Sequence, residues 1–265
     1  MKRASLLTIV FTLIAISSCT QTADPALTET HQRDYFQLKI FSYETPEQET
    51  LLETYFQDAL LPALHRADLE NIGVFKPIEG LNERKDFMIV LIPFQSLDQF
   101  EQLPAVLEKD ARYQQSALAY INAPHDNPPY TRIESMILRA FSATPRMALP
   151  ELESPREGRV YELRSYEGAT EKLYNLKVEM FNEGESALFQ ELNFNPVFFC
   201  EVLSSAHMPH LMYMTTHADT TAQKKNWENF VNHPEWDRMK NLERYQNTVS
   251  GMTKYLLYPT AYSDY

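Results

Sequence analysis

The sequence predicts an α+β fold in which one β-α-β-β-α-β pattern is written twice and the two sheets pack face to face. Three observations carry this. Residues 35–43 (YFQLKIFSY) and 159–167 (RVYELRSYE) are matching strand-like segments, with Tyr166 standing where Tyr43 stood. Between the two units, residues 142–158 carry Pro145, Pro150 and Pro155 and end in Gly158, which reads as a linker. Finally, residues 87–92 and 197–203 are apolar almost throughout, whereas a sheet with one wet face alternates apolar and polar side chains. Both faces of each sheet are therefore expected to be buried, one by helices and the other by the sheet of the second repeat.

The elements follow in order. Residues 35–43 are aromatic and β-branched, without Gly or Pro, as a strand requires. Thr45-Pro46-Glu47-Gln48 is a helix start, with Thr as N-cap, Pro in the first turn and Gln placed for a capping box. Leu51, Leu52, Tyr55, Phe56, Ala59, Leu60, Ala63 and Leu64 recur at helical spacing, and Pro62 should kink that helix or mark its last turn. Residues 71–78 and 86–94 read as a strand pair, 96–121 as helical and 130–141 as the closing strand. The order then restarts with helices over 169–192 and 219–249 and strands over 195–204, 207–217 and 253–259. Two such units of about 110 residues describe tandem ferredoxin-like repeats. The expected division is a leader over 1–18, a tether over 19–33, a first domain over 34–141, the linker over 142–158 and a second domain over 159–265.

Composition removes several function classes. The 265 residues hold 24 basic and 36 acidic side chains, a formal net charge of −12, which disfavours nucleic acid as a partner because phosphates demand Lys and Arg. Six glycines occur, at 73, 80, 158, 168, 184 and 251, too widely spaced for a dinucleotide turn, a P-loop or a nucleophile elbow. No Ser/His/Asp or Cys/His nucleophile arrangement is identified by spacing.

Lys2 and Arg3 precede a short apolar run over 6–16, too short to span a bilayer. Ile16-Ser17-Ser18-Cys19 resembles the lipobox of bacterial lipoproteins, so Cys19 is the expected lipidation site and the chain is expected in the cell envelope, held to a membrane by its lipid. Cleavage before Cys19 would bring the charge to −14, since residues 1–18 hold two basic residues and no acidic one. Cys200 is then without an intramolecular partner and, in the run VFFC, is expected to be buried and inert.

The strand RVYELRSYE, the segment MPHLMYM (208–214), the stretch NWENFVNHPEWDRM (226–239) and the tail LLYPTAYSDY (256–265) together resemble the NIPSNAP family. The resemblance is clearest over 159–265 and weaker over 35–141, where the corresponding helix lacks the Trp and HPEW pattern. It implies membership of the dimeric α/β-barrel superfamily, here with both halves in one chain as a pseudo-dimer, so that monomer and homodimer are both open. It implies no settled activity. Superfamily relatives include cofactor-independent monooxygenases, haem-degrading enzymes, dehydratases and ring cyclases, with sites between helices and sheet.

Candidate ligand-cleft residues are Arg164, Tyr166, His207, His210, Tyr213, Trp227 and Trp236. Strand alternation puts Met208, His210, Met212 and Met214 on one side and Leu211, Tyr213 and His217 on the other. Thioether beside imidazole suits a soft ion such as Cu(I), but the resemblance favours the plainer reading, in which Met212 and Met214 fill core gaps and the histidines sit at the strand's mouth. Arg164 and Tyr166 face away from Tyr161, Leu163 and Ser165; a buried Arg needs a carboxylate or an anionic ligand, and Glu162 shares its face. Trp227 and Trp236 are expected first as core anchors that cover the barrel's end, since a Trp buries a large area, and second as the lining of a ligand cleft, with His233-Pro234 breaking the helix. The leading expectation is a small-molecule binding or interaction module with no resident cofactor or metal. The alternatives are an oxygenase or isomerase using His207, His210 or Tyr213 as acid or base, and copper or haem handling.

Overall fold

Each apolar strand finds two antiparallel neighbours. The computed structural model describes residues 32–265; the expectations for Cys19 and the leader fall outside them. The first half runs β1 (Tyr35–Ser42), α1 (Pro46–Tyr55), a π turn (Phe56–Leu60), α2 (Leu61–Arg66), β2 (Gly73–Pro77), β3 (Phe87–Phe94), α3 (Leu97–Lys109), α4 (Ala111–Ser116), α5 (Leu118–Ile121) and β4 (Arg132–Ala140). The second runs β5 (Val160–Glu167), α6 (Glu171–Met180), a π turn (Phe181–Glu185), α7 (Ser186–Glu191), β6 (Pro196–Ser204), β7 (His210–His217), α8 (Thr220–Val231), α9 (Pro234–Lys240) and β8 (Gly251–Pro259).

The strands close into a barrel in the order β1-β3-β2-β8-β5-β7-β6-β4. Both halves therefore share one internal order (fourth, first, third, second), and β2–β8 and β4–β6 join them edge to edge. The sheets do face one another, but they are also hydrogen-bonded at both seams, so none of the described strands is left with an open edge. The β2–β8 seam is short, and residues 260–264 extend it. Thr260 N–H donates to Val74 O (2.9 Å) and Asp264 N–H to Ile72 O (3.0 Å), while Asp264 Oδ2 accepts from Ile72 N–H (2.6 Å).

The barrel interior and the two outer faces are separate apolar clusters. Phe36, Leu38, Phe87, Tyr161, Leu163 and Met214 are among the side chains that fill the interior, and Phe36 of β1 stacks on Phe198 of β6 at 5.3 Å. Cys200 is fully buried there, where burial raises its thiol pKa well above the ordinary value. Tyr265 also enters, its ring 5.4 Å from Phe75 and 5.9 Å from Tyr161. Helices α1–α5 cover the outer face of the first half over Phe41, Leu52, Phe56, Leu64 and Val90. Helices α6–α9 cover the second over Tyr213, Phe181, Phe189 and Phe199.

Local chemistry sets the helix ends. Thr45 accepts from Gln48 N–H as N-cap, while Gln48 Oε1 accepts from Glu44 N–H (2.9 Å), one residue before the position a capping box uses. His233 caps α9 by accepting from Glu235 N–H (3.2 Å), so the break lies where His233-Pro234 predicts it. The disturbance expected at Pro62 is instead the π turn ahead of it, with Pro62 in the first turn of α2. The second half has the same wide turn without a proline, so proline is not its cause.

Because β1 and β6 share one interior, urea unfolding followed by fluorescence and circular dichroism should show one transition. Phe36→Ala and Phe198→Ala should each lower stability by about 3–5 kcal/mol, and by less than the sum when combined. Two separated transitions would mean that the halves fold independently.

Candidate functional site

Strand alternation on β5 and β7 divides the chemistry between two faces. Glu162, Arg164 and Tyr166 point outward beneath α6 and α8, beside Tyr213 and His217 of β7. Tyr161 and Leu163 point into the barrel, and Ser165 keeps their alternation.

Glu162 is the centre of the outward group and is fully buried. It accepts from Arg164 Nε (2.6 Å), Gln223 Nε2 (2.8 Å) and Trp227 Nε1 (2.7 Å), with His217 Nε2 at 3.7 Å. Asn226 Nδ2 donates to His217 Nδ1 (3.1 Å), which leaves the imidazole proton on the Nε2 that faces Glu162. Burial alone would push the Glu162 carboxyl up; His217, Arg164, Gln223 and Trp227 outweigh it and hold the group at about 2.

Arg164 lies with its guanidinium 3.7 Å above the Trp227 ring, an arrangement that suits a weakly hydrated planar cation. Its Nη1 donates to the Tyr166 hydroxyl (3.3 Å) and reaches Met252 Sδ at 3.6 Å. The Tyr166 and Tyr213 hydroxyls share a hydrogen bond of 2.7 Å, and burial raises both phenol pKa values. Among the described residues, Arg164 Nη2 makes no hydrogen bond. Nη2 is therefore the nitrogen of this guanidinium without a protein partner, while Nη1 is held between Tyr166 and Met252.

A second buried pair, Lys177–Glu185 (2.6 Å), sits under the rings of Phe181, Trp236 and Tyr166, 4.9, 5.4 and 5.6 Å from Lys177 Nζ. Eight residues on a regular helix leave two side chains about 80° apart. The π turn takes up one extra residue and brings both onto one face. Burial raises the Glu185 carboxyl against the pull of Lys177.

The candidate residues thus fall into two places. Arg164, Tyr166, Tyr213 and Trp227 meet in one network, and Trp236 borders it through Lys177 and Phe230. Both tryptophans pack as core anchors, on the outer face of the sheet and not over the barrel's end. His210 lies on the other face, buried at the barrel mouth, and His207 is exposed beside it. Met212 and Met214 are sealed in the interior. Gln223, Lys177 and Glu185 join the network without having been singled out: Gln223 carries no spacing signal, and Lys177 and Glu185 lie at a spacing that a regular helix would separate.

Glu162→Gln should cost about 3–5 kcal/mol, because it leaves Arg164 buried without its charge partner. In the wild type the Glu162 contribution is complete above the ordinary carboxyl value of 4.5 and is lost as pH falls towards 2. Urea midpoints taken from pH 7 to 2.5 should fall less steeply in the variant; identical slopes would remove Glu162 from the acid response.

No curated protein matches the chain. In structure it is similar to a protein provisionally assigned as a monooxygenase from Lactobacillus acidophilus, with a TM-score of 0.56 and 7% identity over 86% of this chain and 94% of that one. A second protein so assigned, from Fusobacterium nucleatum, gives 0.53 and 8% over 86% and 93%. An anthrone oxidase-like protein gives 0.51 and 14% over 86% and 92%. At these identities the likeness shows the fold alone. The NIPSNAP family model matches residues 161–264, which hold every element of the outward network. The stretch that is similar to the NIPSNAP family is thus the second half of the chain, and the barrel as a whole shares its fold with these three structures.

Proposed function

We propose that the protein binds a small anionic molecule with an apolar body at the outward face of β5, and that it is a binding module. The observation that carries this is the state of Arg164. Its stack on Trp227, its Nε bond to Glu162 and its Nη1 bonds to Tyr166 and Met252 fix the guanidinium, while Nη2 makes no hydrogen bond among the described residues. A preordered guanidinium with Nη2 unpaired suits one carboxylate oxygen, and the flanking thioether and aromatic rings suit an apolar body. Aligning Tyr43 with Tyr166 puts Phe41 where Arg164 stands and Lys39 where Glu162 stands. The first half there packs Phe41 against Phe56 at 5.0 Å, which supports one site per chain.

The module reading is favoured over an oxygenase or isomerase because aromatic and ionic side chains fill the layer between sheet and helices, so a ligand would meet Arg164 at the rim of that layer and not inside an enclosed reaction cavity. Both ring nitrogens of His210 are taken by hydroxyls, which disfavours it as a copper or haem ligand. The two halves stand as the counterpart of a dimer closed within one chain. The leader and Cys19 would place it in the cell envelope, on a lipid.

Two measurements test this. Arylacetate and medium-chain carboxylates should raise the melting temperature saturably, and Arg164→Gln should lower their affinity at least about tenfold, by the loss of a charge-assisted contact. No saturable shift, or equal affinity in the variant, would remove the site. Cys19→Ser should move the protein from the membrane fraction to the soluble one, with loss of a diacylglyceryl mass; an unlipidated wild-type chain would end the anchor reading.

A further inference from the structure

At the barrel mouth a histidine is held between two serines that lie far apart from one another in sequence. His210, the first residue of β7, is 3% exposed. Its Nδ1 is 2.7 Å from Ser165 Oγ on β5, and its Nε2 is 2.7 Å from Ser205 Oγ on the loop after β6. Both serines are half-buried, whereas His207 and Met208 on the same loop are exposed.

The hydrogen bonds assign the protons. Ser205 Oγ accepts from His207 N–H (3.1 Å), so its own proton has two possible acceptors: His210 Nε2 at 2.7 Å and His207 O at 3.3 Å. The shorter contact places it on the line to Nε2. The imidazole proton is then on Nδ1 and is donated to Ser165. The result is a hydroxyl aimed at a ring nitrogen whose other side is oriented by a third group, the relation that activates a serine. Burial, with His207 adding to it, holds the imidazole at about 4, so the acceptor nitrogen is free of a proton at neutral pH.

We propose that Ser205, His210 and Ser165 form a nucleophilic triad that accepts acyl groups from activated esters. Ser205 Oγ adds to the ester carbonyl carbon as its proton passes to His210 Nε2. The bond to the leaving alkoxide breaks, and that oxygen takes the proton, giving acyl-Ser205 and an alcohol. Water then attacks the acyl carbon and gives its proton to His210, and Ser205 recovers one as the carboxylic acid departs. Ser165 is a positioning residue. It offers a hydroxyl where a carboxylate would stabilise the imidazolium better, and His210 is a weak base, so the substrates are esters with good leaving groups. Met208, 50% exposed, and Leu203, 37% exposed, border the loop and favour a short apolar acyl chain. The site lies on the opposite face of β5 from Arg164, so its fate is independent of the ligand site proposed there.

The test is to treat the full chain with an alkyl fluorophosphonate and, separately, with p-nitrophenyl butyrate. Intact mass should show a single phosphonyl adduct, mapped by peptide sequencing to Ser205, and ester hydrolysis should stop once it forms. Ser205→Ala should abolish both, and His210→Gln should slow both about 100-fold or more. Ser165→Ala should slow both by a smaller factor without moving the adduct. Since His210→Gln could disturb folding, Ser205→Cys gives a second measure. Its thiol should react with iodoacetamide at least about tenfold faster than in the Ser205→Cys/His210→Gln pair, as expected of a thiol activated by an adjacent imidazole. No adduct, an adduct at another residue, or equal thiol rates would each overturn the proposal.

Discussion

Hydrogen bonding across the two seams is the constraint on which the rest of the molecule depends. A four-stranded sheet on its own would expose two edges and one apolar face. Pairing β2 with β8 and β4 with β6 removes the edges and encloses that face in a shared interior. With the inner faces committed to the barrel, each outer face is left to its own helices, and the outward side chains of β5 and β7 must be satisfied beneath α6 and α8. The tail over 260–265 serves the same closure, adding backbone bonds to the shorter seam and an aromatic ring to the interior.

Under that constraint, one strand serves two chemistries. The outward residues of β5 build a network in which two carboxylates and two cations are buried without a net charge. The cost of burial is offset by hydrogen bonds to nearly every polar atom of Glu162, and the π turn brings Lys177 and Glu185 within reach. One residue along the strand, Ser165 points the other way, to the barrel mouth and His210. The two groups are neighbours in sequence but are separated by the sheet itself.

Much of the fold was legible because it is written in periodicity. The doubled strand at Tyr35 and Val160, the apolar runs in β3 and β6, and the Thr45 and His233-Pro234 signals mark elements that the structure contains. Alternation also put Arg164 with Glu162 on one face of β5 and Met212 with Met214 on one face of β7, without relating the two strands. What periodicity could not give was closure at the edges, since hydrogen-bonded seams leave no residue signature. It also missed the π turns, which Pro62 mimicked in one half and nothing announced in the other. The candidate site was legible in its aromatic and arginine members but not as a group. Joining His210 of β7 to Arg164 of β5 required two faces of the sheet to be one place, and Ser205 with Ser165 carried no spacing that links them.

Joining both halves in a single polypeptide has an evolutionary consequence. In a homodimer every codon change is displayed twice, so a residue needed at one site is imposed on its symmetry mate. Here the position holding Arg164 in one half holds Phe41 in the other, and the surrounding side chains differ accordingly. One half can be occupied by packing at this position while the other carries the charged network, because neither is bound to copy its counterpart. Selection can then sharpen one surface of the barrel without paying for the same change on the other.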